Sequence, residues 1–166
     1  DDEDFEKYYY RLQTDNRLLA FLQDFYAVVG LDFSTFPNID ETYNIEAIKR
    51  NRRFCVYLQK SECLCVYNIA WTGKETYSFA LDNVEKGSIV AVSTYRLTKE
   101  CLKLFENGYI EMKKRIKPRI ILCYGKIPDC MKNDVYSGLV FSIPTRFQIP
   151  AFNKEFDSSQ LQLFSA

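Results

Sequence analysis

The chain has 166 residues, 47% of them apolar, a length that fits one domain burying roughly 70% of its unfolded surface. Lys and Arg total 22, as do Asp and Glu, so the formal net charge is zero; the strong positive field of a protein that holds duplex DNA by its phosphates is absent. With six cysteines and no histidine, a mixed Cys/His zinc site and an imidazole relay are excluded, and neither a metal nor a cofactor is expected.

The chain opens acidic, Asp1-Asp-Glu-Asp4, before Phe5 and Tyr8-Tyr-Tyr10. Residues 1–14 read as a loose acidic segment with local aromatic packing, and Asp1 as a processed start. From Asp15 the spacing of Leu18, Leu19, Leu22 and Phe25 predicts a helix capped by Asp15 or Asn16. Tyr26 to Phe33 reads as a strand ending in Asp32-Phe33-Ser34. After the loop Phe36-Pro37-Asn38, a helix is predicted from Ile39 to Lys60, with Ile45, Ile48, Arg52 or Cys55, and Val56 along its inward side. Its Lys49, Arg50, Arg52 and Arg53 complement the helix dipole, the alternative being phosphate binding.

Leu64 to Ala70 is the next strand, and Asn68 inside that apolar run needs partners for its amide. The strand ends at Trp71-Thr-Gly73, and a helix from Glu75 to Leu81 follows. Ile89 to Val92, opened by Gly87 and closed by Ser93-Thr94, reads as a strand buried on both faces. A helix from Thr98 to Lys117, stopped by Pro118, leads to the strand Ile120 to Tyr124, which Gly125 ends. Beyond the turn Lys126-Ile-Pro-Asp129, Val135 to Ile143 reads as a last strand with Gly138 as a bulge. Pro144 and Pro150 break the pattern, and 152–166 is expected to be an extended tail. Most of the cysteines fall inside apolar runs without a C-x-x-C pair, which suits reduced thiols that fill the core.

A strand-helix unit repeated about four times, plus a final strand, predicts one α/β domain over 1–166 with a mostly parallel sheet. An open doubly wound sheet and a partial TIM-like barrel both satisfy that order. In either, ligands bind where the strands end. Those ends supply a candidate ligand-binding rim: Asp32, Ser34, Asn68, Trp71, Ser93, Thr94, Tyr124 and Lys126. The competing reading is that the polar residues cap the helices that follow. No P-loop, G-x-G-x-x-G or G-x-S-x-G is present, so no catalytic residue is assigned. Asp32 with Glu75 or Asp82 remains open as an acid/base pair. Cys65 or Cys123 as nucleophile would lack an imidazole base and sit in surroundings that raise a thiol pKa.

Several blocks also resemble a known family. Ser88-Ile-Val-Ala-Val-Ser-Thr94, Phe105-Glu-Asn-Gly-Tyr-Ile-Glu-Met112, Lys114-Arg-Ile-Lys-Pro118 and Tyr124-Gly-Lys-Ile-Pro128 look like successive blocks of domain of unknown function 4417. Leu31-Asp-Phe-Ser34 is similar to its Pro-Asp-Phe-Ser block, with Leu31 in place of proline. Asn68-Ile-Ala-Trp71 resembles its Asn/Thr-x-Arg-Trp, with Ala70 in place of arginine, and Tyr95-Arg96 stand where the family often has His-Gly. The resemblance runs from about residue 18 to 156 and implies a phage, prophage or mobile-element setting, without implying a reaction.

These readings converge on a protein of the bacterial host cytoplasm, without a signal peptide or a membrane-length apolar run. It is expected to act by binding a protein partner, as a regulator or inhibitor of a host or phage process, and not as an enzyme. Twelve Tyr among 16% aromatic residues suit a contact surface. The alternatives are a carboxylate-dependent hydrolase or nucleic-acid-processing enzyme at the strand ends, and a single-strand nucleic-acid binder using Arg, Lys and Tyr.

Overall fold

Short runs of β-branched and apolar residues separated by longer amphipathic stretches give strands joined by helices. A computed structural model describes residues 2–145. Along the chain run α1 (Asp2–Thr14), α2 (Asn16–Gln23), β1 (Val28–Val29), α3 (Glu41–Lys60), β2 (Cys65–Asn68), α4 (Tyr77–Leu81), β3 (Ile89–Ser93), α5 (Lys99–Ile116), β4 (Ile120–Tyr124), α6 (Lys132–Tyr136) and β5 (Val140–Ile143). Single 3-10 turns at Lys74–Thr76 and Asp129–Met131 precede α4 and α6.

The five strands form one parallel sheet in the order β1-β2-β3-β4-β5. Ile89 lies beside Ile120 and Ser93 beside Tyr124, so β3 and β4 start and finish together. A doubly wound sheet reverses its strand order and binds ligands at the reversal. Here the order never reverses. The sheet has the sequential order of a barrel but stays open, with β1 and β5 at its edges. Right-handed crossovers in a sequential sheet place the connecting helices on one face.

Alternation along the strands then divides the core. On one face Val90, Val92, Ile121, Cys123 and Val140 pack with Ile48, Leu81, Tyr109, Met112 and Ile116 from the helices. Each fully buried aliphatic side chain there contributes about 1.5–3 kcal/mol. The opposite cluster joins Val66, Ala91 and Leu122 to Ala27, Ile89, Ile120, Phe141 and Ile143. All of these lie in strands or just before β1, so among the described residues this cluster takes no side chain from a helix. No helix among the described residues is long and apolar enough to cross a membrane. All six cysteines are unpaired.

Several sequence expectations change. The acidic start is not loose: 2–14 is helix α1, whose Phe5, Tyr9 and Leu12 join Leu31, Phe33, Phe54 and Leu58 in a third cluster. The strand expected from Tyr26 to Phe33 shrinks to Val28–Val29, although Val28 N–H donates to Leu64 O and Gly30 N–H to Val66 O, both at 2.8 Å. Gly30 permits that approach, since a Cβ there would lie 2.6 Å from Cys55 Sγ. In α3 the buried face is Asn44, Ala47, Ile48, Asn51, Phe54, Cys55 and Leu58, and Val56 points outward at 48% exposure. The strand expected from Val135 begins only at Val140. Asp134 accepts from Lys113 Nζ and Tyr109 Oη at 2.6 Å, which holds the preceding turn as α6, and Gly138 (φ 77°) reverses the chain as a turn instead of bulging a strand. The tail at 152–166 lies outside the described residues.

Candidate functional site at the carboxyl edge of the sheet

Because all strands run the same way, the ends of β2, β3 and β4 and the segment after β1 meet at one edge. Asp32 sits there, half-buried, and takes hydrogen bonds from the side chains of Ser93 on β3 and Asn68 on β2. Burial of its carboxyl pushes the pKa of Asp32 above the ordinary value; the two hydrogen bonds oppose that rise, and the charge of Asp2 adds to it. Asn68 is buried, and its Nδ2 also donates to Leu31 O at 3.4 Å. A carboxyl group that is withdrawn from water and held by two neighbouring strands is a site of the kind where ionisable groups do chemistry or bind.

The loop carrying Asp32 is held from two sides. Asn44 and Asn51 stand seven residues apart on the buried face of α3. Asn51 Oδ1 accepts from Phe33 N–H at 3.0 Å, and Asn44 pairs with both backbone groups of Phe36, at 2.8 and 2.9 Å. From the other side α1 brings Asp2, whose carboxylate accepts from the Ser34 hydroxyl at 2.9 Å and from its N–H at 3.2 Å. Arg50 on α3 meets Glu6 of α1 at 3.1 Å, so this member of the basic face of α3 fastens α1. Arg52 donates to the backbone oxygens of Ala80 and Asp82 and stacks over the Tyr67 ring. Both arginines are thus committed to packing.

The structure separates the predicted rim residues into groups. Asp32, Asn68 and Ser93 come together, and Tyr124 lies in register beside Ser93. The Tyr124 ring faces Tyr95 at 5.7 Å, and the guanidinium of Arg96 covers the Tyr95 ring at 5.2 Å. Ser34 joins Asp2. Thr94 turns inward: it is 5% exposed, and its hydroxyl donates to Lys126 O at 2.8 Å, with Cys123 Sγ at 3.5 Å. Trp71 is also directed away from the edge, with its ring stacked on Phe105 in the helix layer at 5.4 Å. Lys126 is exposed. Gly125 (φ 122°) makes the turn after β4 where a Cβ would meet Thr94 Oγ1 and Tyr95 N at 2.7 Å. Thr94→Val leaves Lys126 O without its donor and is expected to cost about 1–3 kcal/mol in urea denaturation.

Asp32 does not meet either acid considered from the sequence. Glu75 accepts from the Thr72 hydroxyl at 3.3 Å, and Asp82 pairs with Arg115 at 3.0 Å. The carboxylate near enough to act on Asp32 is Asp2. Cys123 is fully buried and its thiol pKa is pushed up by that burial, while that of Cys65 is raised by a hydrogen bond with the Cys55 thiol and by burial. Neither thiol is poised as a nucleophile.

The sequence profile of a family described as a domain of unknown function, DUF4417, matches residues 1–142. The chain belongs to the DUF4417 family. Asp32, Asn68 and Ser93 all lie inside the matched span, as do β1 to β4 entire. Among curated proteins, this DUF4417 chain is 28% identical to the Gene 1 protein of Mycobacterium phage L5 over 132 residues, which is 76% of the chain and 58% of that protein. It is also 28% identical to the Gene 1 protein of Mycobacterium phage D29 over 127 residues, 73% of the chain and 47% of that protein. The chain therefore spans about half the length of the curated relatives it matches. These matches associate it with phage proteins and assign no activity. No solved structure matches it.

Proposed function

We propose that this phage-family protein works by binding a protein partner, as a regulator or inhibitor of a phage or host process, and recognises a polar group of that partner at the carboxyl edge of its sheet. The observation that carries the reading is the Asp32 carboxyl, held between Ser93 and Asn68 and withdrawn from water so that burial raises its pKa. A partly desolvated carboxyl is a strong hydrogen-bonding group, and Tyr124, in register beside Ser93, carries a phenol that both donates and accepts. The Tyr95 and Tyr124 rings flank this edge, and tyrosines supply contact area at low entropic cost.

Affinity capture from phage-infected host lysate, followed by titration of the captured protein against purified wild-type and Asp32→Asn chains, tests this. The expected result is a protein whose binding weakens about tenfold in the variant, the equivalent of 1.4 kcal/mol. Equal binding by both chains would remove Asp32 from recognition. A second reading, a carboxylate-dependent hydrolase, is supported by the Asp2 charge acting on Asp32, because neighbouring carboxyl groups can share acid and base roles. Turnover of a phosphodiester or glycoside by the wild type, lost in both Asp2→Asn and Asp32→Asn, would favour that reading.

A further inference from the structure

A groove lies at the other end of the strands from Asp32. It encloses about 610 Å³, within the range of ligand-binding clefts. Its floor is apolar, built from Ala27, Leu64, Val66, Ile89 and Ile120. Leu64 is 59% exposed there, a large apolar side chain left in water at the start of a strand. Two cations, Lys86 and Arg119, stand at the groove, both exposed and neither in an ion pair among the described residues. The one acid lining it is Glu85. Gly87 (φ 80°) turns the chain between them with open space above it.

The shape sets the form of the occupant. The groove crosses the starts of β1, β2, β3 and β4, three strand spacings or roughly 14 Å. About four extended residues cover that distance at ~3.3 Å each. We infer that this amino-edge groove binds an extended peptide segment of a partner protein that places a bulky apolar side chain on the Leu64–Val66–Ile89–Ile120 floor and a carboxylate between Lys86 and Arg119. The apolar floor selects the side chain, and the excess of two cations over one acid selects its charge. The inference extends the partner-binding reading to a second surface and does not use Asp32.

Fluorescence anisotropy on the full chain, with two labelled hexapeptides of Leu and Phe that differ only in one Asp or Asn, tests it. Saturable binding of the Asp peptide is expected, with the Asn peptide about fivefold weaker and the difference shrinking at ~0.5 M salt. Lys86→Glu with Arg119→Glu should abolish the preference, Leu64→Asp should weaken both peptides, and Asp32→Asn should leave both unchanged. Equal binding of the two peptides, no saturation below about 1 mM, or indifference to Lys86→Glu with Arg119→Glu would each overturn the inference. A concentration-dependent dimer abolished by Leu64→Asp would make a second copy the occupant and overturn it as well. Loss of peptide binding with intact Asp32-dependent partner binding would reject this groove alone.

Discussion

Gly108→Val is expected to destabilise the fold by about 3 kcal/mol in urea denaturation, because the position has no room for any side chain. A Cβ at Gly108 would lie 2.0 Å from Trp71 Nε1 and 2.4 Å from Cε2. Trp71 rests flat on α5 at this point, stacked on Phe105, which in turn stacks on Tyr109 at 6.1 Å. Moving the indole therefore disturbs three rings in a row. Propensity alone argues the other way, since glycine inside a helix costs about 1 kcal/mol relative to alanine. Gly108→Ala separates the two effects. A loss of stability would show that the contact with Trp71 dominates, whereas an alanine variant more stable than wild type would mean that the indole swings aside at little cost.

Trp71 also shows where sequence reading stops. A tryptophan three residues past a buried strand is a reasonable rim residue, and nothing local says that its ring turns back toward α5. The sign was 37 residues away, as a glycine in the middle of a helix with no turn to make. The strand-helix order, the parallel pairing of 89–93 with 120–124 and the placement of Asp32, Asn68 and Ser93 at one edge were legible, because β-branched runs, Pro118 and the carboxyl-edge rule are local or topological signals. The choice between doubly wound and barrel-like order was not, since strand order is decided by contacts between distant segments. Residues 132–139 misled for a similar reason. Val135 and Leu139 suit a strand, but Asp134 finds Lys113 and Tyr109 on α5 and keeps the segment helical. Asp2 was overlooked because an acidic terminus usually remains in solvent. The signal was the pattern behind it, Phe5, Tyr9 and Leu12, which carries α1 onto Phe33 and so delivers Asp2 to Ser34.

The stability of the wild-type chain relative to Asp32→Asn is expected to fall as pH rises above the ordinary carboxyl value of 3.8, and to level off beyond the raised pKa of the folded state. In that window the folded chain holds the Asp32 proton and the unfolded chain has released it. Fewer protons are bound on unfolding, so unfolding free energy decreases with pH. Most shifted carboxyls in the protein act in the opposite sense. Asp134, which burial would raise but Lys113 and Tyr109 hold low, and Asp15, Asp40 and Asp129 contribute stability that is lost as pH falls. Subtracting the two unfolding curves cancels those groups and isolates Asp32. Asparagine copies the shape of the neutral acid without the charge that must be buried, so the variant should be the more stable of the two near pH 8. Asp32→Ala should behave differently. It removes the acceptor of the Ser93 hydroxyl and the Asn68 amide, at a cost of about 1–3 kcal/mol for groups left without a partner. A wild type that parallels Asp32→Asn at every pH would mean that the carboxyl ionises in the folded chain as easily as in water, and would count against the recognition proposed at this edge.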